Sequence, residues 1–521
     1  MKKTGIYIGT LLLSSGMLFA QGEMDAYRYS QLDLNGTARS MSMGGAFGAL
    51  GGDMSAMSHN PAGLGVYRSS EVQTTMTLNN THTNATWTGT RNSENRTWVD
   101  LDNFSYITYF PTGKESGIKG WNLGIAFNKV KDFNRNLKST GNPGVSIGDF
   151  IAQRTTREGI YLNDLFSDDS YSPYYNSNLS WLSVLGYESG FITPKEDVPK
   201  NAVYRSSFSG APQRTAFTMT ERSSIIEYNF SLATNISDRV FLGATLGITG
   251  LDYRMASRHD ETFTGEDYGY IDNNLESEGV AYSVNLGVIV RPIDALRLGI
   301  AYNSPKWYSL TDYFYAKGET YVSSYISQPK MEAKTPLGQY AEYRLRTPDR
   351  WIFSMAGFIG NFALVSLDYE LTNYSSMYLT DRQGYAYGDN KDIREDFGLG
   401  HTVKLGAEVK LTPQFALRAG YILQSSPMKE LLRNGGQEVF PVGTVSHFTV
   451  AEATNYCTAG VGYRFTPNFY MDLAYIFRIQ NETLYPFSNI YAENGTAELK
   501  IEPSDLSINT SRMALTFGYK F

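Results

Sequence analysis

One cysteine, Cys457, stands in 521 residues. That excludes a disulfide framework and any cysteine-held zinc or iron–sulfur centre. Charge is scarce as well: 19% of the chain, 45 basic against 52 acidic residues, with no basic run. A nucleic-acid partner is excluded on that pattern. The five histidines (59, 82, 259, 401 and 447) show no paired or helical spacing, so no metal, cofactor or catalytic set is read from them. After the first twenty residues there is no apolar run of about 18 residues, the length a spanning helix needs. What is plentiful is Tyr (38) and Gly (49), beside 28 Phe and 6 Trp. A soluble helical enzyme would instead be rich in Leu, Ala, Glu and Lys.

The first twenty residues have the order of an export signal. Lys2 and Lys3 precede a mostly apolar stretch from Ile6 to Phe19, and the small Ala20 precedes Gln21. Residues 1–20 are therefore expected to be a cleaved signal peptide. No cysteine follows the junction, so a lipoprotein anchor is excluded.

The rest alternates at period two. Met513, Leu515, Phe517, Tyr519 and Phe521 alternate with Arg512, Ala514, Thr516, Gly518 and Lys520; Trp121, Leu123, Ile125 and Phe127 alternate with Asn122, Gly124, Ala126 and Asn128. Successive strand side chains point to opposite faces, so each segment has one apolar face and one polar or small face. In a soluble sandwich the polar face meets water and is dominated by charged residues. Here it is filled by Gly, Ala, Asn and Ser, and the apolar faces end in aromatic residues, as membrane girdles do. The pattern predicts an all-β fold, an antiparallel transmembrane barrel. Its strands are read at 71–88, 101–110, 121–131, 222–235, 239–255, 277–290, 295–309, 341–359, 362–378, 398–411, 415–425, 453–465, 468–480 and 509–521. Fourteen is even, as a barrel with both ends on one side requires, and it makes 341–359 one strand interrupted at Pro348. Short turns alternate with long polar connections, near 132–221, 257–276, 311–339, 381–396, 426–452 and 482–508.

Residues 36–65 break the alternation. They are glycine-rich and carry Met41, Met43, Phe47, Leu50, Met54 and Met57. No Gly-Lys-Ser/Thr follows, which removes a phosphate loop. A fourteen-stranded barrel leaves a lumen too wide for its own side chains to fill, so a compact plug over residues 21–70 is expected, with the barrel over 71–521. Gly144-Val145-Ser146-Ile147-Gly148 matches a nucleophile-elbow pattern, yet follows Asn142-Pro143 inside a long loop instead of a strand. No catalytic residue is read, and the chain is not expected to be an enzyme.

The order Gly-Gly-Ala-Phe-Gly-Ala-Leu-Gly-Gly-Asp (44–53), then Asn60-Pro61-Ala62-Gly63-Leu64, resembles the N-terminal hatch of the FadL/TodX family of hydrophobic-compound transporters. Leu298 to Pro305, Leu417 to Tyr421, and Gly460 to Arg464 before Thr466-Pro467-Asn468 carry the likeness to the C-terminus. The resemblance implies an outer-membrane barrel of fourteen strands, closed by a hatch, that passes long-chain fatty acids or aromatic hydrocarbons inward without ATP. It implies a hatch turn at Asn60, Pro61 and Ala62, and a pocket beside the six hatch residues just named. It also implies a sideways exit at a kink in the third strand, here within Trp121, Gly124, Phe127 and Val130. In the loop 132–221, Phe150, Ile151, Leu162, Leu165, Phe166, Trp181, Leu182 and Leu185 are candidates for solute capture, or else they pack together to order the loop. Expected partners are hydrophobic small molecules, outer-membrane lipid and lipopolysaccharide, and the barrel-assembly machinery through the strand ending in Phe521; a monomer is expected. The alternative on the same fold is a haem receptor, with His59, His82 or a loop tyrosine as axial ligand.

Overall fold

The computed structural model describes residues 22–167, 170–492 and 496–521. The predicted export signal lies outside them. Among the described residues no helix is long and apolar enough to cross a membrane. Crossing falls to strands, and there are fourteen in one closed ring.

They are β1 (Glu71–Trp87), β2 (Thr90–Pro111), β3 (Ile118–Asp132, continued by Arg135–Gly141), β4 (Arg214–Ile236), β5 (Val240–Thr262), β6 (Tyr268–Ile293) and β7 (Leu296–Asn303 with Trp307–Tyr321). Then follow β8 (Gln339–Arg346 with Arg350–Ile359), β9 (Ala363–Asn373 with Tyr378–Asp381), β10 (Leu399–Lys410), β11 (Phe415–Gln424), β12 (Phe448–Arg464), β13 (Phe469–Tyr485) and β14 (Ser504–Lys520). Each pairs antiparallel with the next, and β14 closes on β1 from Lys520↔Glu71 to Asp505↔Thr86. Every predicted strand is present, and Pro348 interrupts a single strand as the count requires. The predicted outer connections are too long, however. β5 and β6 run far past the expected ends, pairing through Thr262↔Tyr268, so most of 257–276 is strand. Polar strand residues far from the lipid lack apolar alternation but still pair.

The central belt is inverted relative to a soluble protein. Leu123 and Ile125 on β3, Phe230 and Leu232 on β4, and Leu405 on β10 are exposed, while their neighbours Asn122, Asn229, Ser231 and Lys404 are buried. About 25 cal/mol is lost for each Å² of apolar surface left in water. A continuous belt of this kind is stable only against hydrocarbon.

Toward the outer end the polarity is conventional. α3 (Ile147–Arg157), α4 (Trp181–Glu188) and α5 (Asn390–Asp396) join loop residues and the inward faces of the strand tips in one apolar core. Ser146 caps α3: its Oγ accepts from the Gly148 amide at 3.0 Å and donates to Glu261 at 2.5 Å. That hydroxyl is a cap, not a nucleophile.

The chain enters at this outer end as α1 (Glu23–Ser30), whose Tyr27 stacks on Phe397. It descends inside the ring through α2 (Ala38–Ser42) and two 3₁₀ turns, Met54–Met57 and Pro61–Val66. Small wall residues make room for it. A Cβ on Gly243 would overlap the Pro61–Ala62 backbone, and one on Gly420 the Met43–Gly44 backbone.

Candidate functional site

Among the cavities that the descending segment leaves in the lumen, two meet at Asp33. The central one, with about 1200 Å³ of unfilled space, lies between the segment and the inner faces of β6 to β11. The second, about 840 Å³, lies on the side of β1 to β4 and β12 to β14. Asp33 lines both. Its amide donates to Val130 O at 2.9 Å, and its carboxylate accepts from Lys131 Nζ (3.1 Å), the Asp132 amide (3.0 Å) and Arg478 (2.9 Å). Burial alone would raise this carboxyl, but Lys131 and Arg478 hold it well below the usual carboxylate range. Asp33 thus fastens the partition between the chambers to β3.

The wall changes at the same place. The β2–β3 ladder runs from Pro111↔Gly120 to Asn103↔Asn128 and stops there. Just beyond, the β3–β4 register slips between Lys129 and Lys131, leaving Val130 as a bulge. The β1–β2 register also slips beside Asp102. A bulge bends its strand and ends pairing locally. Side chains span the break instead: Lys129 pairs with Asp100, and Trp98 Nε1 donates to Asp100 at 2.8 Å and Asp132 at 3.1 Å. Trp98, Lys131 and Asp132 also line the side chamber.

A second irregularity faces the central chamber. β7 is interrupted at Ser304-Pro305-Lys306 and β8 at Thr347-Pro348-Asp349, since proline cannot donate to a ladder. The two breaks are stitched together, with the Thr347 amide donating to Lys306 O at 3.0 Å and the Lys306 amide to Thr347 Oγ1 at 2.9 Å. Lys306 and Arg350 line the cavity there, with Lys404 opposite. Lys404 is bound to Glu370 at 2.5 Å and Lys306 to Glu227. Arg350 stands 3.6 Å from Glu370, and its guanidinium makes no hydrogen bond among the described residues. His59 shares the chamber. Burial first, and Lys404 second, lower its pKa to about 4, so the ring is neutral.

The sequence-predicted residues fall elsewhere. Met41, Met43, Phe47, Leu50, Met54 and Met57 line neither chamber; each is buried against the wall in three small apolar clusters. The segment's apolar side chains are used in seating it, and polar and charged residues outnumber apolar ones around the central chamber. Asn60 caps the Pro61–Val66 turn, accepting from the Ala62 amide at 3.2 Å and donating to Gly48 O at 2.6 Å. In the outer loop Phe150, Ile151, Leu162, Leu165, Leu182 and Leu185 are buried in the apolar core and Trp181 packs on it; only Phe166 is exposed. These residues order the loop. On β3, Trp121 faces outward, Phe127 lies on the same face, and Gly124 lies beneath Met57 and Leu64. The β3–β4 register slips at Val130, one of the four residues expected at the exit, and the ladder is unbroken at Gly124. His59 Nδ1 is taken by Ser55 O at 3.1 Å, while His82 lies near Ser93 on the other face of β1, so the two share no space.

Sequence reasoning missed Asp33, Lys306, Arg350 and Lys404. The signal available was two Pro-plus-cation steps, Pro305-Lys306 and Pro348-Asp349-Arg350, in neighbouring strands.

A family model for outer membrane transport proteins (OMPP1/FadL/TodX) matches residues 215–521. Among solved structures, a Pseudomonas aeruginosa FadL homologue aligns with 12% identity over 94% of this chain and 99% of its own, with a TM-score of 0.51. The P. putida toluene transporter TodX gives the same identity, coverage and TM-score. No curated protein sequence matches.

Proposed function

The chain belongs to the OMPP1/FadL/TodX family of outer-membrane transport proteins, and from that premise we propose a route for its cargo. The protein is an outer-membrane channel for hydrophobic compounds, not an enzyme. Cargo enters passively from the outer end, rests in the central chamber, passes Asp33 into the side chamber, and leaves sideways between β2 and β3. The N-terminal segment acts as a hatch, with its lower part closing the periplasmic end. Lateral release suits such solutes, since leaving an apolar environment for water costs about 25 cal/mol per Å² and the gap opens toward lipid.

The observation that carries this reading is the coincidence of three things: the ladder that ends at Asn103↔Asn128, the Val130 bulge, and Asp33 holding the partition to that bulge. Cysteines replacing Asp100 and Lys129, in a Cys457→Ser background, would tie the gap shut when oxidised. Uptake of a fluorescent fatty-acid analogue into proteoliposomes should stop on oxidation and return on reduction. Equal uptake in both states would rule out the sideways exit. Outer-leaflet lipopolysaccharide surrounds the belt in this reading, β14 with Phe521 presents the chain to the assembly machinery, and the closed ring works as a monomer.

A further inference from the structure

We propose that the central chamber recognises an amphiphile with an anionic head and hydrogen-bonding groups along its body, a hydroxylated long-chain carboxylate in place of a bare hydrocarbon or plain alkyl chain. This deepens the transport reading and rests on it for the direction of travel, but the binding site itself stands on the chamber's chemistry. Ligand sites for apolar molecules are lined mainly by apolar and aromatic side chains with few polar groups. Here polar and charged side chains outnumber apolar ones: Leu32, Leu34, Val130, Pro348 and Ile422 are the apolar side chains of the lining, beside three tyrosines.

The polar groups are not all spoken for. Lys306 and Lys404 are matched by Glu227 and Glu370. Arg350 is the cation left with open donors, 3.6 Å from a carboxylate that Lys404 already holds at 2.5 Å. A guanidinium offers two parallel N–H groups that match a carboxylate. Two lining residues carry an acceptor that receives no hydrogen bond among the described residues. Asn303 is 94% buried; its amide nitrogen donates to Ser58 O at 3.3 Å, and its Oδ1 has no partner. The His59 ring, neutral and donating through Nδ1 to Ser55 O, keeps Nε2 as an acceptor. A carboxylate satisfies the arginine, and hydroxyl donors satisfy the asparagine and histidine. An alkyl chain would displace water from all three and replace nothing, which disfavours it.

The test uses the purified full-length barrel in a non-ionic detergent, titrated calorimetrically with 9,10-dihydroxystearate, its methyl ester and stearate. Dihydroxystearate should bind at least tenfold more tightly than either, a difference of about 1.4 kcal/mol. Arg350→Gln should abolish the advantage over the ester, Arg350→Lys should restore part of it, and Asn303→Leu should erase the preference over stearate. Heat-dependent migration on a denaturing gel establishes that each variant is folded. Stearate or the ester binding as tightly as dihydroxystearate, no saturable binding of any probe, or an Arg350→Gln variant identical to the parent each overturns the proposal. Proteoliposome flux separates this from the transport reading. Flux of stearate without any preference for the diol leaves transport standing and removes the site, whereas selective binding without flux of any probe does the reverse.

Discussion

β4 passes through two different solvents. In its outer part Phe217 and Met219 are buried inside the ring while Thr218 and Thr220 are exposed outside it; farther down, Asn229 and Ser231 are inside while Tyr228, Phe230 and Leu232 are outside. The outer end obeys the rule of water-soluble proteins, with an apolar interior and polar exterior, and the belt reverses it. The difference shows where the lipid begins without any reference to a membrane. It also explains why the lumen at belt depth is a network of charge pairs, such as Arg418 with Glu408 and Asp472, both at 2.6 Å. Once most apolar residues are turned out to lipid, the inner face away from the small clusters that seat the N-terminal segment is largely polar, and its groups satisfy one another.

The sharpest way to break this comparison is to put one charge at the same face in both zones. Leu405→Arg, on the lipid face of β10, should cost about 2–4 kcal/mol, read by urea unfolding in lipid vesicles. Thr218→Arg, outward on β4 above the belt, should change stability by no more than ~0.5 kcal/mol. Equal costs would mean that the two zones meet the same solvent.

The outer core can be tested from within. Leu185 is fully buried among the loop helices, so Leu185→Ala should cost about 2–5 kcal/mol of local stability. Faster proteolysis of the loop around α4 should accompany unchanged heat-modifiability of the barrel. A barrel that fails to fold would show that the two zones form one cooperative unit.

The seat of the N-terminal segment should yield next. Gly420→Val forces a side chain into the Met43–Gly44 backbone, and overpacking of this kind costs about 1–3 kcal/mol. The barrel should still fold, with higher single-channel conductance as the segment shifts. Conductance equal to the parent's would place the seal elsewhere in the segment.

Strand number and the facing of side chains were readable because a barrel strand's environment is local: alternate residues see lipid or lumen, and Trp121 to Asn128 state this plainly. The outer strand ends were not, since a paired strand in water, such as Glu261↔Gly269, needs no apolar face. The chambers were least readable of all. Arg350, Lys404, Asn303 and His59 come from four distant stretches, and each looks like an ordinary lumen residue until the ring closes. The methionines misled for a related reason. Their apolar character was real, but it is spent against the wall near Gly406, Gly420 and Gly124, so none remains for a solute.

The smallest effect should come from the join between the N-terminal segment and the outer core. Glu23 on α1 and Asp396 on α5 are both buried, and the two helices touch. Burial, then Asp396, pushes the Glu23 carboxyl well up; burial likewise raises Asp396, with the hydrogen bond to Glu23 opposing, Asp392 and Glu395 adding to the rise and Lys429 opposing it. Asp389 nearby is pushed up to about 7. Groups whose pKa is higher in the docked state than in the undocked one bind protons more tightly there. Docking of α1 is therefore favoured at low pH and weakens as pH rises through the raised values. Amide exchange along Glu23–Ser30, corrected for the intrinsic rate, should be roughly several-fold less protected near pH 8 than near pH 5.5. Glu23→Gln should flatten the profile by removing one of the two titrating partners. Protection that is independent of pH in the parent would mean that α1 is held by Tyr27 and Tyr29 alone, and that the carboxyl pair merely rides along with the apolar core.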